Sequence, residues 1–288
     1  MISGKTRLKF YKIGKLKFIS HLDLQRTMKG ALGRANVPLK YSEGFNPHPK
    51  MVFSLPLPVG AESRCEYLDI ILNEPCDERE LQERINTQLT RELQITAVYP
   101  QDMPFQSITV AEYEFRFYDM TGKELEGLLE GALPIEKKSK KGFIEVDLRP
   151  KIAGYAIKNA EEGVLLHALL GADSGDFVNP ELLVRALERA LGRPVEDYSI
   201  LRLELYSGKS LSLKEQFQSQ GFQMFDGGKS AFVGFQGHLV VCTLGRAGRS
   251  TKCRCGGGKS VQIVVIDEKG QLLFGSFCFA FNVLQLFF

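Results

Sequence analysis

The chain has 288 residues, 44% hydrophobic and 25% charged, which is the composition of an ordinary globular protein and excludes a disordered or fibrous one. No run of about 18 apolar residues occurs, and the start MISGKTRLKF lacks the apolar core of a signal peptide. A cytoplasmic protein without membrane contact is therefore expected. The net charge of +3 hides an asymmetry: residues 1–60 hold eleven Lys/Arg and two acids, residues 61–208 hold 17 and 28, and residues 209–288 hold nine and four. Such a basic excess is an electrostatic footprint for a polyanion such as RNA, or else a solvated face.

The first strand is legible in Leu8 and Phe10, which alternate with Arg7, Lys9 and Tyr11. Leu16 to Ile19 reads as its continuation. Ser20 suits a helix cap with Asp23 three residues on, and Leu24, Met28, Ala31, Leu32 and Ala35 recur at helical spacing. Strands are expected over 50–57 and 65–72 around a Pro58-Val-Gly60 turn. Asp77 and Glu80 then suit a capping box before Leu81, Ile85 and Leu89, and a strand is expected over 93–99. The order is β-α-β-β-α-β.

The order recurs after a linker at Gln101 to Ser107. Tyr113, Phe115 and Phe117 alternate, and Thr121 with Glu124 forms a second capping box before Leu125, Leu128, Leu129 and Ala132. Ile144, Val146 and Leu148 read as one strand, and residues 153–158 with 163–169 as a hairpin. Asn179 and Pro180 start the last helix, Gly192 and Pro194 stop it, and Leu201, Leu203 and Leu205 make the final strand. The expected fold is α+β: tandem ferredoxin-like domains, a basic one over 1–104 and an acidic one over 108–207, with a C-terminal appendage over 208–288. Each sheet would carry two helices on one face and leave the other to pack on its sister or to bind. The tail is rich in glycine, holds four of the six cysteines and ends FCFAFNVLQLFF. It reads either as a β-rich piece that completes a core or as sequence not selected for folding.

Candidate chemistry concentrates in residues 41–50, Tyr-Ser-Glu-Gly-Phe-Asn-Pro-His-Pro-Lys. Two prolines and a glycine break any regular element there, yet the loop carries Tyr41, Ser42, Phe45, Asn46, His48 and Lys50. The helix before it opens on His21 and carries Arg26, Lys29 and Arg34 near one face, opposite the apolar stripe. Gly30 and Gly33 cost that helix about 1 kcal/mol each relative to alanine. They allow close approach either of a phosphate backbone or of a neighbouring element. His21 and His48 could in principle serve as base and acid in metal-independent RNA cleavage. For each alone a hydrogen-bonding role is the plainer reading.

Other motifs exclude more than they offer. Gly-Lys-Ser occurs at 208–210, 228–230 and 258–260, but the glycine that a P-loop needs is replaced by Leu203, Gln223 and Cys253. Cys253-Arg-Cys255 lacks a second ligand pair, and the four histidines are dispersed, so no metal is expected. His167, between Leu165 and Leu169, reads as a satisfied strand histidine.

The stretch KFISHLDLQRTMKGALGRANVPLKYSEGFNPHPK resembles the radical SAM-linked domain of unknown function in its stand-alone bacterial form. The resemblance covers about residues 3–207, and the tail departs from it. It implies a radical SAM enzyme as partner, with S-adenosylmethionine and an iron–sulfur cluster in that partner and no cofactor in this chain. The tandem order is also similar to that of CRISPR RNA-processing endonucleases, although fold order alone does not give function. The leading expectation is a non-catalytic accessory protein that binds tRNA or rRNA through Arg26, Lys29, Arg34, Tyr41, Ser42, Phe45, Asn46, His48 and Lys50. Two alternatives stand beside it: an endoribonuclease using His21 and His48, and a protein-interaction module docking the radical SAM partner without RNA.

Overall fold

Strand β1 (Ile2–Lys12) buries Leu8 and Phe10 fully. At Gly14 the backbone turns left-handed, with φ 63°, and enters a 3-10 helix over Gly14–Phe18. The expected strand continuation at Leu16 to Ile19 is therefore not formed, because a positive φ takes the chain out of the ladder. Helix α1 (His21–Arg34) follows, capped by Ser20, whose hydroxyl accepts from the Asp23 amide at 3.2 Å. Then come β2 (Met51–Phe53), β3 (Ala61–Cys76), α2 (Glu78–Asn86) capped by Asp77, and β4 (Leu93–Pro100). Strand β1 lies between β3 and β4, and β2 lies outside β3, all antiparallel. Leu24, Met28 and Leu32 of α1 and Leu81 and Ile85 of α2 pack on Leu8, Phe10, Leu68, Ile70 and Ile95 of the sheet.

The second half contains β5 (Ile108–Phe117), α3 (Gly122–Glu130), β6 (Pro134–Ser139), β7 (Gly142–Asp147), β8 (Ile152–Asn159), β9 (Val164–Gly171), α4 (Pro180–Leu191) and β10 (Tyr198–Ser207). The Thr121–Glu124 capping box is present, Asn179 caps α4, and Gly192 ends it at φ 69°. Strand β5 lies between β9 and β10, with β8 outside β9, again antiparallel. The single strand expected around Ile144 is instead half of a hairpin, β6–β7, which forms its own two-stranded sheet. Ile135 pairs with Val146 there, and both pack on the core of this half, so burial stabilises a strand where the sequence shows only a weak alternation.

The structure is a computed structural model that describes residues 1–207 apart from 102, 140, 141, 174 and 176. Beyond 207 it describes the backbone of β11 (Gln223–Met224), β12 (Lys229–Phe235), β13 (His238–Gly245), β14 (Ser260–Ile266) and β15 (Leu272–Phe274), which continue the sheet from β10. The expectations for the rest of the tail, Cys253 and Cys255 included, lie outside the described residues. Among the described residues the fold is α+β, with four helices and one large mixed sheet. The two halves meet in that sheet, because the start of β3 pairs in parallel with β10 (Ala61 with Ile200, Ser63 with Arg202). Strand β3 runs 16 residues, twice the expected strand: one edge pairs with β1 between Ser63 and Cys76, and the other takes β10 at its start and β2 further on.

A polar seam follows the junction. The Arg202 guanidinium is fully buried and donates to Glu66 Oε1 at 2.9 Å, to the Leu55 and Pro56 carbonyls at 2.9 Å each, and to the Tyr113 hydroxyl. Burial opposes its charge, but Tyr113 and Glu66 outweigh that and hold it protonated. Lys9 and the Tyr67 hydroxyl both donate to Glu204, at 2.9 and 2.7 Å. Arg7 grips Asp69 with two bonds and donates to the Met103 carbonyl at 2.6 Å. Thus the sheet face opposite α1 and α2 is occupied by the linker and the second half. Arg7 and Lys9 spend their charge there on Asp69 and Glu204, and Lys12 is buried in the field of Glu66 and Glu62.

Two consequences can be measured. Arg202→Met leaves Glu66 buried without its cation and is expected to cost about 3–5 kcal/mol in urea unfolding, much of which Glu66→Gln in the same chain restores. His167 pairs across the ladder with Glu114 at 3.1 Å, and burial lowers its pKa from the ordinary 6.5, with Glu114 opposing. A depressed histidine contributes stability above its unfolded pKa and loses it as pH falls through the folded value. The melting temperature of the wild type is therefore expected to fall more steeply than that of His167→Gln as pH drops below about 6.5.

Candidate cation-lined cleft

Helix α1 presents two faces. Leu24, Met28, Ala31 and Leu32 enter the core, and the stripe Leu22, Gln25, Arg26 and Lys29 turns outward. That stripe forms one wall of a cleft of about 270 Å³. His48 and Pro49 of the 41–50 loop and Met51 and Phe53 of β2 complete it. The loop reaches this position because its two ends are tied together. Tyr41 bridges to Pro49, Lys50 N–H donates to the Lys40 carbonyl at 2.9 Å, and Ser42 N–H donates to the His48 carbonyl at 2.8 Å. The segment before it is fixed in turn by Lys40 N–H donating to Ile71 of β3 at 2.7 Å.

His48 is held from both backbone and ring. Its backbone N–H donates to Ser42 Oγ at 3.1 Å, and its ring Nδ1 lies 3.2 Å from the Asn46 carbonyl and 3.1 Å from Ser42 Oγ. Both contacts fall on Nδ1, so Nε2 is the ring atom left for a ligand. His21 has a different setting. It meets Phe53 edge-on at 5.5 Å between ring centres, and its Nε2 is 2.9 Å from the Gln25 amide nitrogen. It is not among the residues lining the cleft. The structure thus brings His48, Arg26 and Lys29 together and sets His21 behind Gln25.

The remaining candidates divide. Arg26 is exposed and paired with Asp23 at 3.0 Å, a weak surface contact that a phosphate can replace. The Ser20 hydroxyl, then Arg26, hold the Asp23 carboxyl below its ordinary range. Lys50 is exposed, and the aromatics Phe45 and Tyr41 are exposed on the same loop. Arg34 points elsewhere: its guanidinium donates to the Gln88 carbonyl at 3.1 Å, beyond the end of α2. Leu22, Gln25, Pro49, Met51 and Phe53 were not anticipated. The spacing Leu22–Arg26–Lys29 was a legible signal for the first of these, whereas β2 carried none for its side chains.

Gly33 faces open space, so no neighbouring element requires its lack of a side chain, while the Arg34 guanidinium lies over Gly30. Of the two readings for these glycines, close packing does not hold for Gly33. Gly33→Ala is expected to leave the fold intact and to stabilise α1 by up to about 1 kcal/mol in thermal unfolding. Ser42→Ala is expected to cost about 1 kcal/mol and to speed amide exchange at His48.

The family described as "Uncharacterized protein conserved in bacteria (DUF2344)" matches residues 5–180. Among solved structures, an unknown protein from Galdieria sulphuraria is 10% identical, with 69% of this chain and 98% of that one covered and a TM-score of 0.22. A heavy metal efflux pump is 6% identical, with 69% and 28% covered and a TM-score of 0.22. No curated protein matches the chain.

Proposed function

The chain belongs to the bacterial DUF2344 family, and we propose that it is an accessory protein that binds structured RNA and presents it to a radical SAM enzyme. The observation that carries the RNA part is the cleft between α1 and the 41–50 loop. Arg26 and Lys29 stand on one wall, His48 on the other, and Phe53 and Met51 between them. The exposed Phe45 and Tyr41 of the loop add ring faces on which bases can stack. The partner part rests on the resemblance of residues 17–50 to the radical SAM-linked domain. S-adenosylmethionine and the iron–sulfur cluster belong to that partner.

We read each half as ferredoxin-like, the second with the β6–β7 hairpin added, because each places its first strand between its third and last. In the first half the helices cover one face and the polar seam covers the other. Its outer helix surface, the β2 edge and the loop are then parts open to a partner, and Arg26, Lys29 and Lys50 are exposed there. The acidic second half suits docking of a protein rather than of RNA, so the protein-interaction reading is compatible with this one.

Titration of tRNA or rRNA fragments between 50 and 200 mM salt tests the proposal. Affinity should fall steeply with salt, and Arg26→Ala with Lys29→Ala should lower the log–log slope by about 0.7 per lost single-strand contact. Binding that ignores salt, or that survives the double substitution unchanged, rules the reading out. Cleavage by His21 and His48 is the second reading. It requires both rings at one phosphate, and it predicts RNA fragments in the presence of a chelator that disappear in His48→Ala. Intact RNA leaves the binding reading in place.

A further inference from the structure

The cleft is small, and its chemistry is mixed in a particular way. Its volume of about 270 Å³ lies just under the roughly 300–1,000 Å³ of sites that enclose a drug-sized molecule. That is room for one planar base. Leu22, Met51, Pro49 and Phe53 make much of its surface apolar, as a ring face requires. Two directed polar groups interrupt that surface, the Gln25 amide and the His48 ring. The two cations belong to exposed side chains on the outward face of α1.

We infer that this cleft receives a single unpaired nucleotide from an RNA loop, with its base inward against Phe53, Gln25 and His48 reading the base edge, and Arg26 and Lys29 holding the adjacent phosphates. The inference deepens the RNA-binding reading above and depends on it. A paired base cannot enter, because in A-form duplex the base faces are stacked and the major groove is too narrow for side chains. An unpaired base presents both its ring faces and its hydrogen-bonding edge. The two reading groups are held in advance. Asn46 and Ser42 fix the His48 ring through Nδ1, which leaves Nε2 to the ligand. His21, in T-shaped contact with Phe53, engages the Gln25 amide nitrogen at 2.9 Å, and Gln25 itself lines the cleft. His21 is thereby a positioning residue that acts through Gln25. Both histidines of the distinctive sequence block acquire a role without any bond being cut.

The test compares hairpin RNAs with seven-nucleotide loops of A, C, G or U against a blunt duplex of equal length, using fluorescence anisotropy on the full chain. The loops should bind at least about tenfold tighter than the duplex, and one base should be preferred over the others by about tenfold. Gln25→Ala should flatten that preference without changing the salt slope. His21→Ala should do the same, whereas Arg26→Ala should lower the slope and keep the preference. Equal, salt-dependent binding of hairpin and duplex overturns the inference and leaves the RNA reading standing. A preference untouched by Gln25→Ala also overturns it. If neither RNA binds, both readings fall together. A melting temperature within about 3 °C of wild type shows that each variant is folded.

Discussion

The fold turns on one buried cation. Arg202 sits on the last strand of the second half, and its five donors are taken up by a carboxylate, two carbonyls and a hydroxyl from segments 55–66 and Tyr113. A guanidinium in an apolar interior is tolerable only when its donors are met and its charge is balanced. That requirement sets the position of β10 beside the start of β3, the parallel register at Ser63 and Arg202, and the path of the chain through Leu55 and Pro56 into the turn at Gly60. The Lys9–Glu204–Tyr67 and Arg7–Asp69 contacts repeat the same logic along the seam.

The seam also decides which surface can serve a ligand. With one sheet face buried under helices and the other occupied by polar contacts to the second half, the first half is left with its helix exterior, the β2 edge and the connecting loop. Function placed there gains from rigidity underneath. Helix α1 is seated by Met28 and Leu32, β2 by its ladder to β3, and the loop by the Ser42–His48 clasp. A recognition loop whose neck is bonded to a sheet loses little conformational entropy when it binds.

Much of the local structure was legible because it depends on near neighbours. Ser20, Asp77, Thr121 and Asn179 cap helices where their side chains meet amides two or three residues on, and Gly192 ends a helix by its positive φ. The amphipathic stripe of α1 is a matter of helical period alone. The departures from the sequence pattern have two kinds of cause. At Leu16 to Ile19 the cause is local, since the left-handed backbone of Gly14 turns the chain out of the ladder. Elsewhere partners further along the chain decide: Ile135 gains a strand partner because Val146 folds back on it. Arg34 shared a helix with Arg26 and Lys29, yet Gln88, 54 positions on, takes its guanidinium.

The sequence by itself determined the α+β class, the helices and their caps, the polar and aromatic content of the 41–50 loop, and the concentration of basic residues before Gly60. These follow from composition, period and short-range hydrogen bonding. Tertiary structure alone decided that the two halves share one sheet, that Arg7, Lys9 and Lys12 are internal rather than displayed, and that His48 joins Arg26 and Lys29 while His21 contacts Gln25. Pairing of that kind depends on which buried charges find partners across the chain, and no local pattern encodes it.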